Sequence, residues 1–81
     1  MISDKIAPFI TLLDFDEIKL ELPTEHTHND VLTGIEKNCK SSYPHLDMTI
    51  DEDNENITIT ITTENINTFD DDINILFEGI M

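Results

Sequence analysis

The chain has 81 residues, with 18 aspartates and glutamates against four lysines and no arginine, so its formal net charge is −14 at pH 7. A field of this sign repels nucleic acid and anionic membranes, and it attracts cations and basic protein surfaces. The length is typical of one domain with a modest core, since a chain of this size buries only about 60% of its unfolded surface. We therefore expect a single acidic domain over residues 1–81 that binds neither nucleic acid nor membrane.

The first predicted element is a helix near the N-terminus. Apolar side chains at positions 2, 6, 9, 10 and 13 recur at helical spacing, and Ser3 is a candidate N-cap. Pro8 is best tolerated in the first turn, so the helix is expected to begin late or to kink there. The apolar run at 6–13 is interrupted by Pro8 and Thr11, and no small-residue cleavage site follows it, so we expect neither a signal peptide nor a membrane span.

A strand and a second helix are predicted next. Between Glu17 and Leu22 charged and apolar residues alternate, as in a strand with one buried face, and Pro23 ends the run. After several capping residues at 24–29, the apolar positions 31, 32, 35 and 39 form one helical stripe. The segment 41–44, which ends in proline, closes this helix.

A hairpin and a last helix complete the chain. Apolar residues alternate with polar ones at 46–51 and again at 57–62, and the acidic segment 52–56 between them is a polar turn. From Phe69 to Met81 the apolar residues return to helical spacing, with a stripe at 69, 73, 76, 77 and 80. Three aspartates follow Phe69 in the first turn, where the helix dipole favours anions.

This order of elements predicts an α+β fold. Helix, strand, helix, strand, strand and helix are expected to form a three-stranded sheet with the helices packed on one face. The first two strands would run parallel if they were neighbours, through a right-handed crossover. The other face of the sheet would be polar and acidic, and it would carry these residues: Glu17, Lys19, Glu21, Asp47, Thr49, Asp51, Thr58, Thr60 and Thr62.

The histidines and the single cysteine predict no metal or catalytic centre. Cys39 has no partner for an internal disulfide, which fits a reducing, cytoplasmic location. His26, His28 and His45 lack the paired spacing of a zinc site, and Cys39 falls on an apolar stripe. No nucleophile elbow is present, and two glycines in the whole chain cannot build a phosphate-binding loop. We expect no enzymatic activity and no cofactor.

The hairpin turn shares some features with a calcium-binding loop. Asp51, Asp53 and Glu55 are spaced like the opening ligands of an EF-hand loop. The glycine of that loop is replaced by Asn56 and its last glutamate by Thr62, and a strand follows where the EF-hand has a helix. The sequence therefore predicts no specific metal site.

The acidic residues are the candidate binding surface. On a strand, residues i and i+2 share a face about 6.6 Å apart, so acids on neighbouring strands stand in rows, as the phosphates of DNA do. Such rows can occupy the phosphate-binding groove of a nucleic-acid enzyme and pair with its lysines and arginines. Ten carboxylates are the candidate partner-binding residues: Glu17, Glu21, Asp47, Asp51, Glu52, Asp53, Glu55, Asp70, Asp71 and Asp72.

These features favour a protein-binding inhibitor that mimics DNA. Its partner would be the basic surface of a host nuclease, restriction or CRISPR effector, or another enzyme that handles DNA or RNA. In size and charge, although in no motif, the chain resembles small acidic inhibitors made by bacteriophages, which would act in the host cytoplasm as anti-restriction or anti-CRISPR proteins.

Two other functions and one simpler interpretation fit the same composition. An immunity or antitoxin protein that neutralises a basic toxin would use the same electrostatics. A small assembly protein would instead form a homodimer or larger oligomer through an apolar patch, for which Ile2, Ile75 and Met81 are candidates because they lie outside the main stripes or at their ends. The acids could also serve only to solvate the protein or to adapt it to high salt.

Overall fold

The computed structural model describes residues 2–26 and 29–78. Its strands and helices are β1 (Ile10–Leu13), β2 (Glu17–Pro23), α1 (Asn29–Ser42), β3 (Leu46–Glu52), β4 (Asn56–Thr63) and α2 (Phe69–Leu76). Short 3₁₀ turns precede β1, α1 and α2 at Ala7–Phe9, Thr24–His26 and Ile66–Thr68. The α+β class is confirmed.

The sheet has four antiparallel strands in the order β1-β2-β4-β3, so the prediction of three strands is wrong. The extra strand replaces the predicted N-terminal helix. Pro8 lacks a backbone N–H and has a fixed φ, and it occupies the second position of the Ala7–Phe9 3₁₀ turn. The backbone is already extended at Ile10 (φ −79°, ψ 124°), and Ile10 pairs with Leu20 of β2.

The predicted hairpin is confirmed, and its second strand lies at the middle of the sheet. β4 pairs with β3 on one side and with β2 on the other, with Ile59 opposite Ile50 and Leu20. β2 and β3 are therefore not neighbours, because β4 lies between them. Both run antiparallel to β4, so β2 and β3 point in the same direction. They do not form a parallel pair, which the sequence predicted only for the case that they were neighbours.

One apolar cluster joins one face of the sheet to both helices. Its members from the sheet are Ile18, Leu20, Leu22, Leu46, Ile57, Ile59 and Ile61. From α1 it includes Leu32, Ile35 and Cys39. From α2 it includes Phe69, Ile73 and Leu76, followed by Phe77 just after the helix. Ile6 joins the cluster from the N-terminal segment. The helices thus cover a single face, which leaves the other face open.

Two details of the predicted helices differ from the structure. Val31, which the sequence places on the buried stripe of the second helix, is 37% exposed, and the core side of α1 is carried by Leu32, Ile35 and Cys39. α2 ends at Leu76, five residues before the predicted end at Met81. The predicted stripe position Ile80 lies outside the described residues.

Candidate functional site

The open face of the sheet carries the nine polar residues that the alternation predicts. The registers align them in three rows across β2, β4 and β3: Glu17, Thr62 and Asp47; Lys19, Thr60 and Thr49; Glu21, Thr58 and Asp51. Residues that face each other across antiparallel strands project on the same side, so each row shares the open face. We call these nine residues the open face.

Four carboxylates stand at the corners of the open face. Glu17 and Glu21 lie four residues apart on β2, as Asp47 and Asp51 do on β3, so each pair is separated by about 13 Å along its strand. The two pairs are two strand spacings apart, or about 10 Å. Three threonines of β4 run between them, and Lys19 lies midway between Glu17 and Glu21 on β2, so the face is acidic at both ends and carries a net charge of −3.

The corner carboxylates are accessible and uncommitted. Glu21, Asp47 and Asp51 are exposed, and Glu17 is partly exposed. Within residues 2–26 and 29–78, no hydrogen bond or ion pair engages the carboxylate of any of the four. Their charges are therefore available to a partner's cations, and no internal contact has to break before binding.

The turn between β3 and β4 adds charge at one end of the open face, with one acid committed to the turn. Asp53 Oδ1 accepts hydrogen bonds from the backbone N–H groups of Glu55 (2.8 Å) and Asn56 (2.7 Å). These bonds, with Asn56 contributing most, hold the pKa of Asp53 below its usual range. Glu52 and Glu55 are both exposed. Glu52 pairs with the core residue Ile57, so its side chain projects on the helix-covered face of the sheet. Glu55 can extend the acidic end, whereas Glu52 projects on the other side of the sheet and Asp53 shapes the turn.

The Asp70–Asp72 run lies away from the open face. All three residues belong to the first turn of α2, which packs on the covered face, so the structure separates them from the four corner carboxylates. Asp72 is buried, and its Oδ2 accepts hydrogen bonds from His45 Nε2 (2.6 Å) and from the Thr68 hydroxyl (3.1 Å). Asp72 therefore ties α2 to His45, the residue before β3, and its carboxylate is engaged inside the protein.

The turn between β1 and β2 brings two further acids to the opposite end of the sheet. Asp14 and Asp16 lie between these two strands. The N–H of Asp14 donates to the carbonyl of Glu17, and the N–H of Thr63 donates to the carbonyl of Asp16. Both side chains are exposed.

The histidines and Cys39 form no metal centre in the part of the chain that is described. No group of three or more histidine, cysteine, aspartate or glutamate side chains converges among residues 2–26 and 29–78. His45 is engaged with Asp72, and its ring meets that of Tyr43 edge-on at 6.1 Å. Burial and the nearby carboxylate of Asp47 raise the pKa of the Cys39 thiol, so it stays protonated at neutral pH. His28 and the side chain of His26 lie outside the described residues.

The exposed apolar residues differ from those proposed for an oligomer interface. Ile75 is 55% exposed, but Ile2 packs partly against the core, and Met81 lies outside the described residues. Ile2 and Ile75 line different hollows. The most exposed large apolar side chain in the described chain is instead Phe15, in the β1–β2 turn.

Comparisons with protein-family models, with curated proteins and with solved structures find no match to this chain. Among the described residues, neither helix has the length and apolar character that crossing a membrane requires.

Proposed function

We propose that this protein is a binding inhibitor whose open face, together with the acids of the β3–β4 turn, occupies a nucleic-acid-binding surface of a basic partner protein. The observation that carries the proposal is the frame of four uncommitted carboxylates about a threonine ladder. It presents fixed negative charge on a sheet whose other face is packed against helices, so little order has to be gained on binding.

The charge density of this frame can be compared with that of DNA. Over about 13 Å of helix axis, a duplex carries roughly eight phosphate charges. The open face carries a net −3 over that length, and Glu55 adds one further charge at one end. The surface thus offers about half the charge of a duplex, which is enough to pair with several lysines and arginines but covers a shorter footprint.

The threonine ladder gives the open face a second binding chemistry. Thr58, Thr60 and Thr62 are partly exposed, and each hydroxyl can donate as well as accept a hydrogen bond. Exposed ion pairs are worth about 0.2–1 kcal/mol each, so the four corner acids together would contribute roughly 1–4 kcal/mol. Charge alone would then give a weak, salt-sensitive complex, and hydrogen bonds at the centre would add affinity and register.

The experiment that tests the proposal is capture from a lysate of the source organism with two matched variants as controls. The open-face variant is E17Q/E21Q/D47N/D51N, which keeps side-chain size and removes four charges. The control variant is D4N/D30N/E64Q/E78Q, which removes the same number of charges from exposed residues that are not among the nine of the open face. Both variants have the same net charge, so nonspecific electrostatic capture affects them equally.

We expect the wild-type protein and the control variant to retain the same partner, which graded salt and a double-stranded DNA or RNA oligonucleotide release. The open-face variant is expected to lose it. Equal capture by both variants would contradict the proposal, because net charge would then suffice. A partner that is a toxin without a nucleic-acid site would favour the immunity-protein alternative.

A further inference from the structure

A second surface, independent of the open face, lies beside the edge strand β1. A groove of about 810 Å³ is lined by Ile2, Ala7, Ile10, Leu13 and Phe15, with Thr11 and the aspartates Asp14 and Asp70 at its margin. A neighbouring hollow shares Phe15 and Asp70 and adds Ile66, Asn67 and Asp71. We call the two together the β1 groove.

The groove exists because the helices leave the covered face of the sheet exposed beside β1. Leu13 pairs with Ile18 and so projects on the same side of the sheet as the core. Ile18 has no exposed surface, whereas Leu13 is 61% exposed. Phe15 and Ile66 beside it are 72% and 53% exposed. Three large apolar side chains exposed around one groove are a typical mark of a protein contact.

The charges around the groove indicate what can fill it. Asp14, Asp70 and Asp71 line its margin, and no lysine is among the described residues that line it. An apolar floor with an acidic margin complements a segment that has an apolar anchor flanked by lysine or arginine. A second copy of this chain would instead bring a net charge of −14 and the same acidic margin against itself, which like-charge repulsion disfavours.

We propose that the β1 groove binds a short amphipathic segment of a basic protein. Apolar side chains of the segment would contact Leu13, Phe15 and Ile66, and flanking lysines or arginines would lie beside the aspartates of the margin. The open face and the groove would then contact basic protein through different chemistry. The groove does not require the open-face proposal to be right, since it uses none of the nine residues of that face.

A titration with designed peptides tests this. The probe is an amphipathic peptide of leucine and lysine of about 14 residues, with the leucines at helical spacing. One control peptide has glutamate in place of lysine, and the other has serine in place of leucine. The titration is done on the open-face variant, so that the lysines cannot report binding to that face, and is followed by amide chemical shifts and calorimetry at ~150 mM salt.

We expect the leucine–lysine peptide to shift the amides of Leu13, Phe15 and Ile66, and both controls to bind at least about ten-fold more weakly. Phe15→Ser and Ile66→Ser, at exposed positions outside the core, should each weaken binding about ten-fold or more. Ile75→Ser changes an equally exposed residue outside the groove and should leave binding unchanged.

Three results would overturn the assignment. Binding that Phe15→Ser leaves unaltered would place the peptide elsewhere. Equal binding of the serine–lysine peptide would mean that charge alone is responsible. A protein that sediments as a dimer and becomes monomeric on Phe15→Ser would show that a second copy occupies the groove.

Discussion

The hydrogen bond between His45 and Asp72 should make a measurable contribution to the stability of the fold. His45 Nε2 donates to Asp72 Oδ2 at 2.6 Å, across 27 residues of sequence. The Asp72 side chain is only 11% exposed and that of His45 31% exposed, so solvent screens the pair partially. Among the described residues, Thr68 is the other side-chain donor to this carboxylate. Removal of His45 therefore leaves a nearly buried acid with one hydroxyl partner among the side chains of that part of the chain.

The expected cost follows from this geometry. A hydrogen bond to a charged group contributes about 1.5–3 kcal/mol, and the partial exposure of His45 reduces this to an expected coupling of about 1–2 kcal/mol. His45→Ala also removes the edge contact with Tyr43, and Asp72→Ala also removes a favourable charge from the first turn of α2. A double-mutant cycle cancels both side effects.

The assay is urea unfolding of the wild type, H45A, D72A and H45A/D72A under identical conditions. For a chain of this size, a loss of 1 kcal/mol lowers Tm by about 4–8 °C, so thermal melts give an independent measure. A coupling energy below about 0.3 kcal/mol would refute the reasoning, because the two side chains would then behave as independent sites.

Three further predictions concern stability. Gly34→Ala should stabilise the fold by about 0.5–1 kcal/mol in denaturant unfolding, because Gly34 is an exposed residue of α1 and a Cβ there meets nothing within 4 Å. A loss of stability would contradict this. Asp53→Asn should lower stability at neutral pH. The lowered pKa of Asp53 means that its contribution is present above the ordinary value of 3.8 and is lost as the pH falls through the folded-state pKa, so the variant and the wild type should converge in acid. A difference that does not change with pH would show that the carboxylate charge is unimportant to the turn. Raising salt from low ionic strength to about 150 mM should raise Tm, because screening relieves repulsion among the acids. A fall in Tm would contradict this.

The hairpin and the open face could be read from the sequence because their pattern is local and unambiguous. Isoleucine and threonine alternate through β4, and a period of two allows only one assignment of faces once the apolar side is buried. The registers with β2 and β3 then follow the same rule, which is why the four corner acids were placed correctly.

The N-terminal segment was misassigned because a bulge imitates a helix. The register between β1 and β2 shifts at Thr11, so Ile10 and Leu13 both pair with core residues of β2 although they are three residues apart. Spacing of three is also the signature of one helical face. Only the partner strand distinguishes the two, so the sequence places Leu13 on a buried helical stripe and gives no sign of the β1 groove.

The role of Asp72 was also out of reach of the sequence. Three successive aspartates at the start of a helix are well explained by the helix dipole, and nothing local distinguishes the third. The distinction comes from His45, which is 27 residues away in the sequence and reaches Asp72 only through the tertiary fold.

The central claim, that the open face occupies a nucleic-acid site, is tested most directly by competition on the purified partner. The dissociation constant of the partner for a labelled oligonucleotide is measured at increasing concentrations of wild type, control variant and open-face variant. We predict that the wild type and the control variant displace the oligonucleotide competitively, and that the open-face variant requires roughly five-fold to several hundred-fold more protein, as expected from the loss of 1–4 kcal/mol. A ternary complex of partner, oligonucleotide and wild-type protein would contradict the account.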